Sequence, residues 1–452
     1  EAFSTAERLR ARSYLDLVET GLPVEAGSHE ELLEFTMQER IRTLREDLTE
    51  ESNRNQPEQR QLAIEVYSQE LLAAEQEYQA FLDDRRGIAS ARPQTQAPSF
   101  RHVSASLAAD EALVEYVVGS ASVMVFVLTR HALVTATMPS RRQDLENKVE
   151  LVRALIRSQD NEHWKKPAAS LSDVLVDPVM ASGQMENIHH LYLVPHGKLN
   201  YLPFALLPSH GGEDDHRLVE DFTLAYLPTA AALLRDRGAS ANTSSMLALA
   251  PQASRLQFAV EEVRAVNTLF EPDSRALLGT TATESSFKQL APQYRLLHLA
   301  THGYFNKLNP LLSGLQLEAD AADDGRLELH EILALRLDAD LVTLSACETG
   351  LGSGYFAELP AGDDFVGLTR AFLYAGSTSV LATLWEVDDA STLSLMKNFY
   401  AGLRRSAGAE DMANALSLAQ RALLSSKEYS HPYFWAPFVL VGEMGRDRHA
   451  ET

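Results

Sequence analysis

At 452 residues the chain is long enough for two or three domains, and 45% hydrophobic with 23% charged residues is ordinary for globular protein. A formal net charge of −23 argues against direct nucleic-acid binding, which needs a basic face. No apolar run approaches the roughly 20 residues that span a bilayer and no signal peptide is visible, so no membrane association is expected.

Residues 1–90 are predicted to be helical throughout. Met37, Ile41, Leu44 and Leu48 form one apolar seam, and Ile64, Tyr67, Leu71, Ala74, Tyr78 and Phe81 form another. The helix-breaking stretch Ser52-Asn-Arg-Asn-Gln-Pro57 lies between them, so an antiparallel α-helical hairpin is expected, with its charged residues as solvated faces. A linker is placed at 91–100, where Pro, Ser and Thr replace the apolar periodicity.

Beyond it the pattern changes. Ala112–Val118 and Val123–Thr129 are strand-like around Gly119-Ser120, a helix is expected over 141–157, and Ile188–Val194 is an apolar run. Helix is predicted over Arg255–Phe270, with Leu256, Val260, Val263 and Val266 on its buried stripe. It is predicted again over Asp364–Tyr374, capped by Asp363 or Asp364 and ended by Gly376, and over Ala390–Arg405. Ser379–Trp385 is a buried strand. Short apolar strands between amphipathic helices predict an α/β fold, a mostly parallel sheet with helices on both faces.

Two strand-like runs carry chemistry: Arg295-Leu-Leu-His-Leu-Ala-Thr-His-Gly303 and Ala339-Asp-Leu-Val-Thr-Leu-Ser-Ala-Cys347. The first delivers His302 and the second the only cysteine in the chain. An imidazole beside a thiol removes its proton and later protonates a leaving amine, so the pair predicts a cysteine peptidase, with Cys347 as nucleophile and His302 as base. The backbone N–H groups of Gly303 and Cys347 are expected to bind the oxyanion. A lone thiol fits a reducing, cytoplasmic setting. His298 and His302 form His-x-x-x-His, but four residues of strand span about 13 Å, so they do not share one ion and no metal site is expected. Gly350-Leu-Gly-Ser-Gly354 lacks the lysine of a phosphate loop and is read as a mobile loop after the nucleophile. Ile188-His-His-Leu-Tyr-Leu-Val-Pro-His-Gly197 also ends in His-Gly, which makes His196 a rival base and hints at an internal repeat. His189 and His190 are expected at a strand edge, and His431 in a turn before Pro432.

His298-Leu-Ala-Thr-His-Gly-Tyr-Phe305, Ser313-Gly-Leu315, Ala339–Gly350, Gly367-Leu-Thr-Arg-Ala-Phe372, Leu384-Trp-Glu-Val-Asp-Asp389 and His431-Pro-Tyr-Phe-Trp-Ala436 together resemble a CHAT domain, over roughly residues 100–442. This is the caspase-like peptidase module, akin to separases, found behind tetratricopeptide repeats. The resemblance implies an inactive caspase-like half at 101–245, an active half at 246–444 and a tail at 445–452. It also implies repeats upstream of Glu1. By the same resemblance Asp388 is the first choice, and Asp389 the second, for an acid that binds a basic P1 side chain; the alternative is that one of them caps the following helix. No cofactor is implied. A protein substrate, a regulatory protein partner engaging the helical region, and a role in bacterial defence or stress are implied. A non-catalytic interaction scaffold and a thiol acyltransferase or transpeptidase are the competing expectations.

Overall fold

The structure, a computed structural model, describes residues 99–159, 161–209, 216–234, 245–252, 256–304, 312–345, 364–405 and 411–445, with scattered positions between 3 and 77. Those scattered positions are helical. Ile41, Leu44 and Ala74 of the two seams are buried, whereas Arg40, Thr43, Val66, Glu70 and Glu77 face solvent. Arg40 Nη1 donates to Glu77 Oε2 at 2.9 Å. Phe3 packs edge-on against Phe126, ring centroids 5.8 Å apart. Met37, Tyr67 and Leu71 of the seams are half-buried against the core; the predicted hairpin turn at 52–57, Leu48, Ile64, Tyr78, Phe81 and residues 91–98 of the linker lie outside the described residues. A helix, Phe100–Ser106, starts at the last predicted linker position.

Eleven strands form one sheet. In chain order they are β1 (Glu111–Val118), β2 (Ser122–Thr129), β3 (Leu133–Pro139), β4 (His190–Val194), β5 (Thr223–Tyr226), β6 (Met246–Ala250), β7 (Ser274–Leu278), β8 (Leu296–Leu299), β12 (Leu341–Leu344), β13 (Ser379–Thr383) and β14 (Phe438–Gly442). The missing numbers, β9 (Gly303–Tyr304), β10 (Gly314–Gln316) and β11 (Arg326–Glu328), make a separate small sheet. The order across the large sheet is β3-β2-β1-β4-β5-β14-β13-β12-β8-β6-β7. The pairs β1·β2, β2·β3 and β13·β14 are antiparallel and the others parallel. Residues 101–245 thus supply one contiguous flank, β3 to β5, and residues 246–444 the other.

Burial explains the composition. Every residue of β8, β12 and β13 is buried. Successive side chains point to opposite faces, so both faces of the central strands are covered, as continuous apolar runs require. The edge strand β3 instead alternates between half-buried and exposed. The principal helices are α1 (Arg142–Ile156), α2 (Lys165–Leu175), α3 (Ala259–Leu269), α4 (Glu284–Leu290), α5 (Leu329–Ala334), α6 (Asp364–Ala375), α7 (Asp389–Arg405) and α8 (Met412–Leu424). In α7, which the sequence predicts as a helix, Leu393, Met396, Phe399 and Leu403 are buried.

Helix α3 departs from expectation. It begins at Ala259, not Arg255, and Val260 is exposed. Its buried positions are Ala259, Glu262, Val263 and Val266. The helix is rotated so that Glu262, not Val260, faces the sheet, because a buried partner awaits it there. The strand predicted to run to Gly303 also ends earlier, at Leu299. His302 therefore lies in the link between the two sheets.

Among the described residues, Glu284, Asp323 and Glu331 bring carboxylate oxygens within 4.8 Å of one another. The Lys288 ammonium occupies their midst, 2.7 Å from Glu284 Oε1, 2.8 Å from Asp323 Oδ1 and 2.7 Å from Glu331 Oε1. These carboxylates push the lysine pKa well above its ordinary value against the opposing effect of burial. Lys288→Met is expected to cost about 2–4 kcal/mol at pH 7, because the clustered carboxyl groups lose the cation they share. The stranded carboxylates would have raised folded-state pKa values. The variant should therefore be nearest to the parent at low pH and fall behind as pH rises. Urea unfolding at pH 5 and pH 8 checks this; an equal loss at both pH values contradicts it.

Candidate active site

The site is built from the register of two strands. β8 and β12 are adjacent and parallel, with Leu296 opposite Leu341 and Leu299 opposite Leu344. The Ser345 N–H donates to Leu299 O at 3.0 Å, continuing the pairing one step past β12. In sequence, His302 follows Leu299 by the same interval at which Cys347 follows Leu344. Cys347 itself, the Gly350–Gly354 loop and Ser353 lie outside the described residues.

Past Leu299 the chain turns through Ala300 and Thr301 and is caught by the small sheet. The Thr301 hydroxyl donates to Gln316 O, and Gln316 N–H donates to His302 O at 2.9 Å. The second of these bonds makes Gly303 and Leu315 the non-hydrogen-bonded kind of antiparallel pair. The Gly303 N–H is consequently not spent on β10. The backbone that presents His302 is thus fixed on both sides.

A small pocket, partly open to solvent, lies beyond the carboxyl ends of β8, β12 and β13. That is where α/β sheets of this kind place ligands. Leu256, Phe258 and Val387 give it apolar walls, and Ala300, Ser345 and Thr383 come from the strand ends. Asp389 lines it too, with its Oδ2 accepting from Gln257 N–H at 3.1 Å. Asp388 does something different: its Oδ1 accepts from Ser391 N–H at 2.9 Å, a cap on the start of α7, and its side chain is exposed. Asp389 therefore lies at the pocket and Asp388 at the helix cap.

Three of the other histidines have structural partners. His196 Nδ1 accepts from Val118 N–H at 2.8 Å, closing the end of β1. His190 Nε2 is 3.5 Å from Asp110 Oδ2. His431 Nδ1 accepts from Tyr433 N–H at 3.2 Å in the turn at Pro432, and burial pulls its pKa down.

Sequence reasoning missed a buried polar chain under the pocket. His298, fully buried in β8, has Nδ1 3.1 Å from the Tyr400 hydroxyl, which donates onward to Thr343 Oγ1 at 2.7 Å. His298 Nε2 lies 3.0 Å from Glu262 Oε1, close enough for an ion pair, although no well-aimed hydrogen bond joins them. Burial pushes the Tyr400 phenol well above its ordinary pKa, so it stays protonated and able to donate. The chain ties α3 and α7 to β8 and β12, the strands that lead into the site. The available signal was polar residues inside apolar patterns: His298 within Leu296–Leu299, and Glu262 among Ala259, Val263 and Val266.

The CHAT domain family model matches residues 165–443. Tetratricopeptide repeat protein 28 of Mus musculus is 28% identical over 343 residues, covering 63% of this chain and 13% of that protein. The Homo sapiens protein of that name is 28% identical over 330 residues, covering 62% of this chain and 13% of the relative. This chain therefore spans a small fraction of the length of these curated relatives. Among solved structures, the Saccharomyces cerevisiae separase–securin complex has a TM-score of 0.49 at 10% identity, covering 84% of this chain and 33% of that one. The Arg-specific cysteine proteinase gingipain R has a TM-score of 0.41 at 10% identity, covering 67% and 75%. The family match takes in β4 to β14, and with them both strands that lead to His302 and Cys347: the chain belongs to the CHAT domain family.

Proposed function

We propose that the chain is a cysteine endopeptidase acting on a specific protein, with Cys347 as nucleophile and His302 as its base and acid. The observation that supports this reading is the matched register of β8 and β12, the two strands that precede His302 and Cys347 in the sequence. In the first step His302 takes the thiol proton and the sulfur attacks the scissile carbonyl carbon. The developing oxyanion is received by the N–H groups of Gly303 and Cys347. Collapse breaks the C–N bond, and the amine leaves with the proton from His302. Water, deprotonated by the same imidazole, then cleaves the thioester and restores the thiol.

The pocket beside the strand ends is the proposed P1 site. Leu256, Phe258 and Val387 offer apolar contacts for the stem of a side chain, and Asp389 a carboxylate for a basic tip. Asp388, occupied as a cap, is the weaker choice. Control is proposed to come from a protein partner engaging the helical region, whose Phe3 reaches the core at Phe126. A cytoplasmic setting rests on the lone thiol, and service in a bacterial defence or stress response on the family resemblance alone.

The test is labelling by electrophilic peptide probes that end in Arg or Leu, on the parent and on Cys347→Ala, His302→Ala and Asp389→Asn. Labelling should require Cys347 and His302, and the Arg probe should lose its advantage only in Asp389→Asn. Uptake indifferent to both Cys347 and His302 would point to a binding scaffold instead. Product mass with and without an added amine separates hydrolysis from acyl transfer.

A further inference from the structure

Helix α1 belongs to the flank that carries no cysteine, yet one of its side chains grips the segment that borders the pocket. Arg153 is 5% exposed. Its Nη1 donates to Tyr201 O at 2.7 Å and its Nη2 to Leu384 O at 2.8 Å. The guanidinium lies over two rings, 5.5 Å from the centroid of Tyr201 and 5.5 Å from that of Trp385. Burial lowers its pKa to about 9, which leaves it charged at neutral pH.

A buried cation is costly, and an apolar side chain of similar size often serves stability as well or better. What a guanidinium adds is geometry: a planar fork that holds two carbonyls while its faces stack on aromatics. One carbonyl follows β4 in the first flank and the other follows β13 in the second. The Leu384 peptide is held at its other end as well, its N–H donating to Pro437 O at 3.0 Å. Trp385 Nε1 donates to Tyr433 O at 3.1 Å. Downstream of this clamp, Val387 and Asp389 enter the pocket wall.

We propose that Arg153 is a positioning residue for substrate selectivity, through which the flank without a nucleophile sets the placement of Val387 and Asp389. The selectivity part rests on the P1 reading above; the positioning part does not.

The experiment uses the full chain with Arg153→Met and Arg153→Lys, the latter keeping the charge but losing the fork. Amide hydrogen exchange over residues 384–389 is compared with exchange over β13, and kcat and KM are measured for peptides with Arg or Leu at P1. Exchange over 384–389 should quicken about tenfold or more in both variants while β13 stays protected. The Arg-over-Leu preference should fall about tenfold, through KM with kcat held. Should Arg153→Met fail to fold, Arg153→Lys carries the same expectation. Unchanged exchange at 384–389, or a rise shared equally with β13, overturns the proposal. A parent that cleaves neither peptide defeats the peptidase reading and leaves exchange to decide the role of Arg153.

Discussion

His302→Ala is expected to lower kcat/KM for peptide cleavage by about a thousandfold. A thiol near its free pKa of about 8.5 is mostly protonated at neutral pH, so without an imidazole little thiolate is present. The leaving amine also loses its proton donor. The fold should survive, because the neighbouring backbone is held through Thr301 and the His302 carbonyl and not through the ring. Thermal unfolding of the variant should therefore match the parent while turnover collapses. Raising the pH should recover part of the attack step by ionising Cys347 directly, but not the protonation of the amine. A variant that cleaves peptide at the parent's rate removes His302 from the mechanism. The same kinetics on His196→Ala should show no catalytic loss beyond any loss of folded protein, since the His196 ring already caps β1.

Gly376→Ala is expected to be the most damaging alanine substitution among the described glycines, costing about 3–5 kcal/mol. Gly376 ends α6 with φ +124°, a conformation that L residues rarely adopt. A Cβ there would sit 1.9 Å from Leu337 O, a backbone atom that cannot swing aside. The Leu337 N–H donates to Ala375 O at 2.6 Å, so the two segments are clamped together at that point. Ser377 N–H closes the helix end on Phe372 O at 3.0 Å, and β13 starts two residues later. Relieving the clash would displace β13 and the pocket segment behind it. Chemical denaturation should show a large drop in midpoint, and a loss below about 1 kcal/mol would contradict the argument.

Much of this was legible in one dimension, and the gaps have physical causes. Ala112–Val118, Val123–Thr129, Ser379–Thr383 and the helix ended by Gly376 were readable because period, turn residues and burial agree. The strands holding His298 and Thr343 were also readable, but their ends were not. Ala300 and Ala346 prolong the apolar text, whereas ladder pairing ends at Leu299 and Leu344. The start of α3 was misplaced because Leu256 sits at helical spacing yet lines the pocket. The strands of the small sheet are two or three residues long, shorter than any pattern that reveals a strand. Both acids at 388 and 389 were visible as choices, and only the hydrogen bond to Ser391 assigns the cap. Arg153 was invisible because an arginine on an amphipathic helix ordinarily faces water; its burial is set by residues far away in the chain.

The meeting of the two flanks has a mechanical consequence. β5 and β14 share one register pair, Val441 with Tyr226, whereas β4 and β5 share four and β13 and β14 share five. Tension applied to the first flank would unzip the sheet along this line before any other. A tug arriving through the amino-terminal helices would thus be relayed chiefly by side chains bridging the fault, so the fold contains its own shear plane, separated from β12 by β14 and β13 alone.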